Sequence, residues 1–558
     1  MKSKYFQRSL FGSLCVLFLL ALGSGMSGEN PEPQDRTHNL LAKQDRVEAN
    51  WWMPKTLLLG VADSLGQGTM DAVNNQLNTQ NAFMEKIYLG LRNGGLRLKF
   101  AQPYLNLQGS RINPFLLPTN LSVDGEDIFS VDGLEYGKRA GQPGNNNPTD
   151  NYYCDRLQSY LFADMHDKVL YPINLWAGQK VSQVDALIWH LNRHWGPAYV
   201  CFWIGNNDSG LAALGLGGKN PEFLPIPFEQ IKDKLKLGAR YLLQYGANNN
   251  VLSFTPFNPA NIERNLTDYN DFMAQFQQVS AKISSQANLN KVDFFVMNYP
   301  YYCDVGYLFP KEDISAYLAS ASDPDPVPDF EGSVSLLTFL CMYVLYLEEG
   351  SASLPDILAQ PDLILDTEER NSVRARIDEF NSFLLPFSAP GDQVHLVDIA
   401  TDFNVILNGG SLPINGENIT RQWGRGGGFS MDGVHPSYTA HAVIANRILS
   451  AMSGISGKTI PLHDEYAAWL NDPYVDHDGD GWVAGPAYEG SGRTRILFLF
   501  KDNDGDDGSD GEGQAVIDTM QPAEIWELIS DALLEEIIDI PLIRAEAARK
   551  GFLPIEQK

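Results

Sequence analysis

The chain is short of cations. Its 558 residues carry 41 Lys and Arg against 69 Asp and Glu, a formal net charge of -28. Proteins that hold nucleic acid use Lys and Arg to displace counterions from phosphates, so this balance argues against a nucleic-acid partner. It argues equally against broad adhesion to anionic membranes. Cysteine is scarce, with five residues, and no Cys or His spacing of the zinc-binding kind occurs. Long apolar runs are scarce too. Beyond the N-terminal one, the longest is VSLLTFLCMYVLYL (334–347), followed by Glu348 and Glu349 and too short to cross a bilayer. Its readings are a buried insertion helix or a lid over a cleft.

What is present begins with an export signal. Lys2, Lys4 and Arg8 precede the apolar run 10–23, and the small residues GSGMSG (23–28) follow. This is the order of a cleavable signal peptide over 1–28 and implies a secreted or envelope protein; an uncleaved anchor is the alternative. Cleavage leaves Cys154, Cys201, Cys303 and Cys341, an even set that permits disulfides in any of three connectivities. Cys201 lies in an apolar run and reads as a small core residue. Residues 29–50 are polar and read as a linker.

Short apolar runs then alternate with amphipathic ones. KTLLLGVAD (55–63), KVLYPINLWAG (168–178), PAYVCFWIGNND (197–208), VDFFVMNYP (292–300) and QVHLVDIA (393–400) read as strands. Helices are expected within 71–92 and over 181–195, 268–287, 367–385 and 435–452, with another near 227–245. Residues 99–160 look irregular, and 209–264 and 301–362 look like insertions. The alternation implies an α/β sandwich of three layers with a mostly parallel sheet. The domain spans 51–455 and is followed by a smaller C-terminal module over 456–558. Ligands of such sheets bind beyond the carboxyl ends of the strands. The polar exits at Ser64, Gly178 and Asn207 are therefore placed to meet in one cleft.

Acyl transfer to a serine needs a base, an acid that orients the base, and donors for the oxyanion. DGVHP (432–436) offers the first two: an Asp three residues before a His can hold one ring nitrogen and leave the other for a serine. Alone, D-x-x-H is a weak signal that a helix N-cap beside a His also satisfies. Here it follows three further blocks in order: ADSLGQG (62–68), NLWAGQKVSQV (174–184) and GNND (205–208). Together they resemble the SGNH hydrolase superfamily, which includes the GDSL lipases and esterases, over roughly residues 55–452. One departure is Ala62, where that family has Gly.

The resemblance implies a flavodoxin-like α/β/α fold and a secreted serine esterase or lipase that needs no cofactor. It makes Ser64 the nucleophile, His435 the general base and Asp432 its orienting acid. It gives the oxyanion hole to the N–H groups of Ser64 and Gly178 and the side chain of Asn207. Asp63 and Asp208 become loop braces rather than catalytic acids. A carbohydrate acetylesterase or a phospholipase shares this arrangement, and the acyl group and alcohol stay open.

Other motifs were weighed. SGISGKT (453–459) has Met452 where a phosphate loop has its first Gly, and no strand leads into it, so nucleotide binding is rejected. DHDGDGWVAGPA (476–487) sets Asp476, Asp478 and Asp480 at alternate positions before a Gly, as in a calcium loop, with Ala487 in place of the final Glu. KDNDGDDGSDGEG (501–513) repeats the spacing with Asp502, Asp504 and Asp506. Both resemble dockerin-type calcium repeats, and the calcium would be structural; a solvated acidic linker is the alternative. They also motivate a different class of function, a calcium-dependent surface-binding protein with an inert hydrolase domain. Residues 522–551 have the apolar spacing of a helix packed on its parent domain.

Overall fold

The computed structural model describes residues 55–71, 74–106, 110–134, 153–154, 165–214, 257, 259–318, 329–335, 364–388, 393–477 and 483. The leader, the helix expected near 227–245, residues 336–347 of the apolar run, the acidic loop 501–513 and the segment 522–551 lie outside them.

The centre is a five-stranded parallel sheet. Its strands are β1 (Thr56–Ala62), β2 (Leu98–Lys99), β3 (Ala198–Trp203), β4 (Val292–Met297) and β5 (Val394–Val397), in the order β2-β1-β3-β4-β5. This is the order of a doubly wound flavodoxin-like sheet. β3 is buried along its whole length and β1 nearly so. Continuous apolar runs of this kind belong to strands covered on both faces. Register aligns Ala62 with Trp203, so β1 and β3 end side by side.

Two groups of helices provide the cover. On one side α2 (Phe83–Asn93) packs with α7 (Tyr438–Ser456); on the other are α3 (Gln183–Leu191), α5 (Tyr269–Gln286) and α6 (Thr367–Leu384). Neighbouring β3 residues identify the sides, since successive strand residues point to opposite faces. The Trp203 ring meets Phe83 of α2 and the Phe202 ring meets Phe276 of α5, each at 5.8 Å between centroids. On the α5 face Phe272 stacks on Phe380 of α6 at 3.9 Å.

Helix starts carry caps legible in the sequence. Ser182 and Asp185 form a capping box on α3, Asp366 and Glu369 another on α6, and Asp268 caps α5. Such caps are worth about 0.5–2 kcal/mol each.

The expected strand at 168–178 is not one. The segment forms two short helices, Met165–Leu170 and Ile173–Ala177. An apolar run does not by itself separate a buried strand from a helix. Here the buried guanidinium of Arg111 decides: Nη1 donates to the carbonyls of Lys168 (2.6 Å), Val169 (3.0 Å) and Tyr171 (3.3 Å). Those are carbonyls at a helix C-terminus, which lack intrahelical donors. The missing strand comes from the stretch read as irregular. β2 pairs with the start of β1, and residues 119–123 return to pair with its end, Leu121 N–H to Gly60 O at 2.8 Å and Val123 N–H to Ala62 O at 3.1 Å.

The 301–362 insertion contributes to a small antiparallel sheet, Leu308–Pro310 with Ser333–Ser335 and Ile364–Leu365. After α7 the chain turns back over the same core, burying Ile460, Tyr474 and Val483. The described cysteines Cys154, Cys201 and Cys303 are buried and form no disulfide with one another, and Cys201 is the core residue of β3 that its apolar setting implies. Among the described residues no helix is long and apolar enough to cross a membrane.

Candidate active site

β1 stops at Ala62, and Asp63 caps the short helix α1 (Ser64–Gln67) by accepting the Leu65 N–H at 3.0 Å. Ser64 is thus the first residue of a helical turn, where the backbone N–H has no partner four residues back. Its side chain sits at the C-terminal end of the sheet's central strands, 8% exposed. The departure at Ala62 is absorbed at Gly66. A Cβ on Gly66 would overlap the Ala62 methyl and the Ser122 hydroxyl. The side chain gained at one position is matched by the side chain absent at the other.

Asp63 is fully buried. Its second oxygen accepts the Asn206 amide at 2.8 Å. Burial pushes its carboxyl up to about 7 against the pull of Asn206, the Leu65 N–H and His435. Asp63 therefore ties the Ser64 turn to α4 (Asn206–Ala213), which begins just beyond β3.

Asp432 and His435 lie on the loop between Phe429 and Pro436, which closes on itself through an isolated bridge between those residues and the Ser430 N–H to His435 O bond at 2.8 Å. Asp432 Oδ1 accepts the N–H groups of Val434 (2.8 Å) and His435 (2.9 Å) and the Ser430 hydroxyl (3.0 Å). Oδ2 stands 2.6 Å from His435 Nδ1. Burial alone would raise the Asp432 carboxyl, but His435 and these donors hold it down at about 2. Burial likewise works to lower His435. The Asp432 carboxylate, with Asp124 and Asp63, outweighs it and raises the imidazole to about 9.

Asp63 and Asp124 both lie in electrostatic reach of His435. Asp124 is fixed by Asn74 (3.0 Å), by Thr69 (3.3 Å) and by its own N–H to Gln67 of α1 (2.7 Å). Among the described residues neither the Ser64 hydroxyl nor His435 Nε2 makes a hydrogen bond. Apo sites commonly tighten such contacts only when the substrate binds.

Gly178 does not join this group. It is exposed at the C-terminus of the helix Ile173–Ala177, with φ of +70°, and its N–H already donates to Asn174 O at 2.9 Å. A second glycine, Gly125, follows a segment that pairs with β1. Residues 121–123 run along β1 to its end, and Asp124, which follows them, donates its N–H to Gln67 of α1. Gly125 has φ of +83°, and the space where a Cβ would stand is open. Asn207, half-buried in the first turn of α4, reaches the same loop and donates one amide hydrogen to Glu126 O at 2.8 Å. An amide carries two hydrogens, which leaves one for a ligand. A strand and turn before Gly125 are legible, since Asn120-Leu121-Ser122-Val123 alternates as a strand does and Asp-Gly ends it as a turn, but not the strand it pairs with.

Braces hold this loop. Asp208 accepts the Ile128 N–H (3.0 Å) and the Thr267 hydroxyl (2.7 Å). Glu126 is buried 2.6 Å from the equally buried His166, and burial raises its carboxyl. This second His–carboxylate pair carried no sequence signal, because 40 residues separate its members.

Of the acidic positions weighed for calcium, only Asp476 is described. Asp478, Asp480, Asp502, Asp504 and Asp506 lie outside the described residues. Among the described residues no three His, Cys, Asp or Glu side chains gather as metal ligands would.

No family model and no curated protein matches the chain. Among solved structures it is similar to a catalytic mutant of an acetylxylan esterase from Geobacillus stearothermophilus, at 10% identity and a TM-score of 0.27, covering 71% of this chain and 94% of that one. A likeness this low leaves the chemistry to be argued from the residues themselves.

Proposed function

We propose that the protein is a serine hydrolase of carboxylic esters. The observation that supports this reading is the 2.6 Å contact between Asp432 Oδ2 and His435 Nδ1, with His435 in electrostatic reach of Asp63, the residue before Ser64. In this reading Ser64 Oγ attacks the ester carbonyl carbon while His435 Nε2 takes its proton. Asp432 holds the ring in the tautomer that leaves Nε2 free and stabilises the imidazolium. The carbonyl oxygen becomes an oxyanion received by the N–H groups of Ser64 and Gly125 and the spare amide hydrogen of Asn207. Collapse expels the alcohol, which takes the proton from His435, and leaves an ester on Ser64. Water then attacks that ester, giving its proton to His435, and the acid departs as the Ser64 hydroxyl reforms.

The arrangement suits any accessible ester. A panel of short- and long-chain p-nitrophenyl esters, a phospholipid and acetylated glycans would assign the acyl group and alcohol. Export follows in this reading from the basic and apolar leader within 1–28, and structural calcium from the Asp spacing at 476–480 and 502–506. Calorimetry with millimolar calcium tests the latter, and absence of binding removes it. The central test is Ser64→Ala. Ester hydrolysis and labelling by a fluorophosphonate probe should both disappear; a purified variant that keeps the wild-type rate overturns the proposal.

A further inference from the structure

The segment after α7 reaches back to the acid–base loop. Tyr474 is 1% exposed and donates its hydroxyl to Asp71 Oδ2 at 2.8 Å. Asp71 is buried too. Its Oδ1 accepts the Met431 N–H at 2.9 Å, and its own N–H donates to Ser430 Oγ at 3.1 Å. Ser430, with no exposed surface, donates its hydroxyl hydrogen to Asp432 Oδ1 at 3.0 Å. A continuous path of hydrogen bonds thus runs from Tyr474 through Asp71, Ser430 and Asp432 to His435.

The path is anchored at its outer end. Asp472 accepts the Thr439 N–H and hydroxyl, both at 2.7 Å, and the Tyr474 N–H at 3.0 Å. The Tyr474 ring packs edge-on against Tyr438, the first residue of α7. Asp71 itself stands at φ of +56°. That conformation is uncommon outside glycine, though Asp and Asn tolerate it best. It turns the backbone N–H and the carboxylate of one residue toward the same loop. Asp71 follows α1 by only a few residues, so the path connects the Ser64 turn to the Asp432 loop.

We propose that Tyr474, Asp71 and Ser430 are positioning residues that hold the Asp432–His435 pair against Ser64. The inference rests on the serine-hydrolase reading for its catalytic consequence and on the geometry alone for its effect on His435. Groups acting on that imidazole are Asp432, Asp124 and Asp63, with His441 in electrostatic reach behind it.

The test uses the full chain. Tyr474→Phe removes only the outer hydroxyl, Ser430→Ala removes the link to Asp432, and Ser430→Thr keeps a hydroxyl there. Supporting groups of this type commonly contribute about 10–100-fold in activity. For p-nitrophenyl acetate, kcat should fall about tenfold in Tyr474→Phe and nearer a hundredfold in Ser430→Ala, with KM within about twofold and partial recovery in Ser430→Thr. The His435 titration, followed by NMR of labelled imidazole, should move down in both deletions, because a loosened carboxylate opposes burial less. Folded Tyr474→Phe and Ser430→Ala proteins with unchanged kcat and unchanged His435 titration overturn the proposal. Failure of the hydrolase reading is seen elsewhere, as an inactive wild type or an active Ser64→Ala, and the NMR titration then still decides the positioning role.

Discussion

His435 Nδ1 meets Asp432 Oδ2 at 2.6 Å, and the two titrations move apart, the acid down to about 2 and the imidazole up to about 9. The proposed mechanism needs His435 neutral, to accept the Ser64 proton. With the imidazole charged in the resting protein through neutral pH, kcat/KM should climb as pH rises toward about 9. Asp432→Asn removes the largest opposing charge. It should cut kcat by about 10⁴-fold and shift the remaining pH profile toward acid. A flat profile between pH 6 and 9 in the wild type would contradict this.

The two glycines separate cleanly by experiment. Gly178→Ala meets open space at a left-handed position, so it should cost about 1–2 kcal/mol of stability and leave kcat alone. Gly125→Ala carries similar strain at a residue the proposal assigns to the oxyanion hole, so kcat should fall as well. Asn207→Ala should lower kcat by about 10²–10³-fold with the fold intact by circular dichroism.

Ala62 and Gly66 should behave as a pair. Gly66→Ala forces a methyl onto the Ala62 methyl and the Ser122 hydroxyl and should destabilise by about 1–3 kcal/mol in urea unfolding. Adding Ala62→Gly should recover part of that loss. Additive single effects would mean that the two side chains do not share the space.

Asp63 gives a stability signature. Its folded carboxyl titrates near 7, above the unfolded value of about 3.9. Between those limits the unfolded chain has lost a proton that the native state keeps, so its contribution makes stability fall as pH rises from about 4 to 7 and level off above. His435 acts in the adjoining window: its raised value gives stability that is complete below about 6.5 and is lost as pH rises through about 9. Denaturant midpoints of Asp63→Asn against wild type should therefore converge at low pH and separate toward pH 7, the variant being the less pH-dependent.

Much of the fold could be read without coordinates. β1, β3 and β4 announce themselves as apolar runs, and α3, α5 and α6 by spacing and capping residues, because these signals arise from neighbours a few positions apart. The Asp432–His435 pair was legible for the same reason, three residues on one turn. The run 168–178 was not, since its helical state depends on Arg111, which is some 60 residues away in the chain.

By itself, then, the sequence determined the alternation of buried strands and amphipathic helices, the Ser64 turn after β1 and the local Asp432–His435 loop. Only the tertiary structure decided that Gly125 follows a segment paired with β1. Residues 119–123 return to pair with β1, a match of backbone groups that no side-chain pattern near Gly125 specifies alone. It also decided that Tyr474, 403 residues from Asp71, closes the path to Asp432. Hydrogen bonds of that separation exist only once the sheet and α7 have brought their ends together.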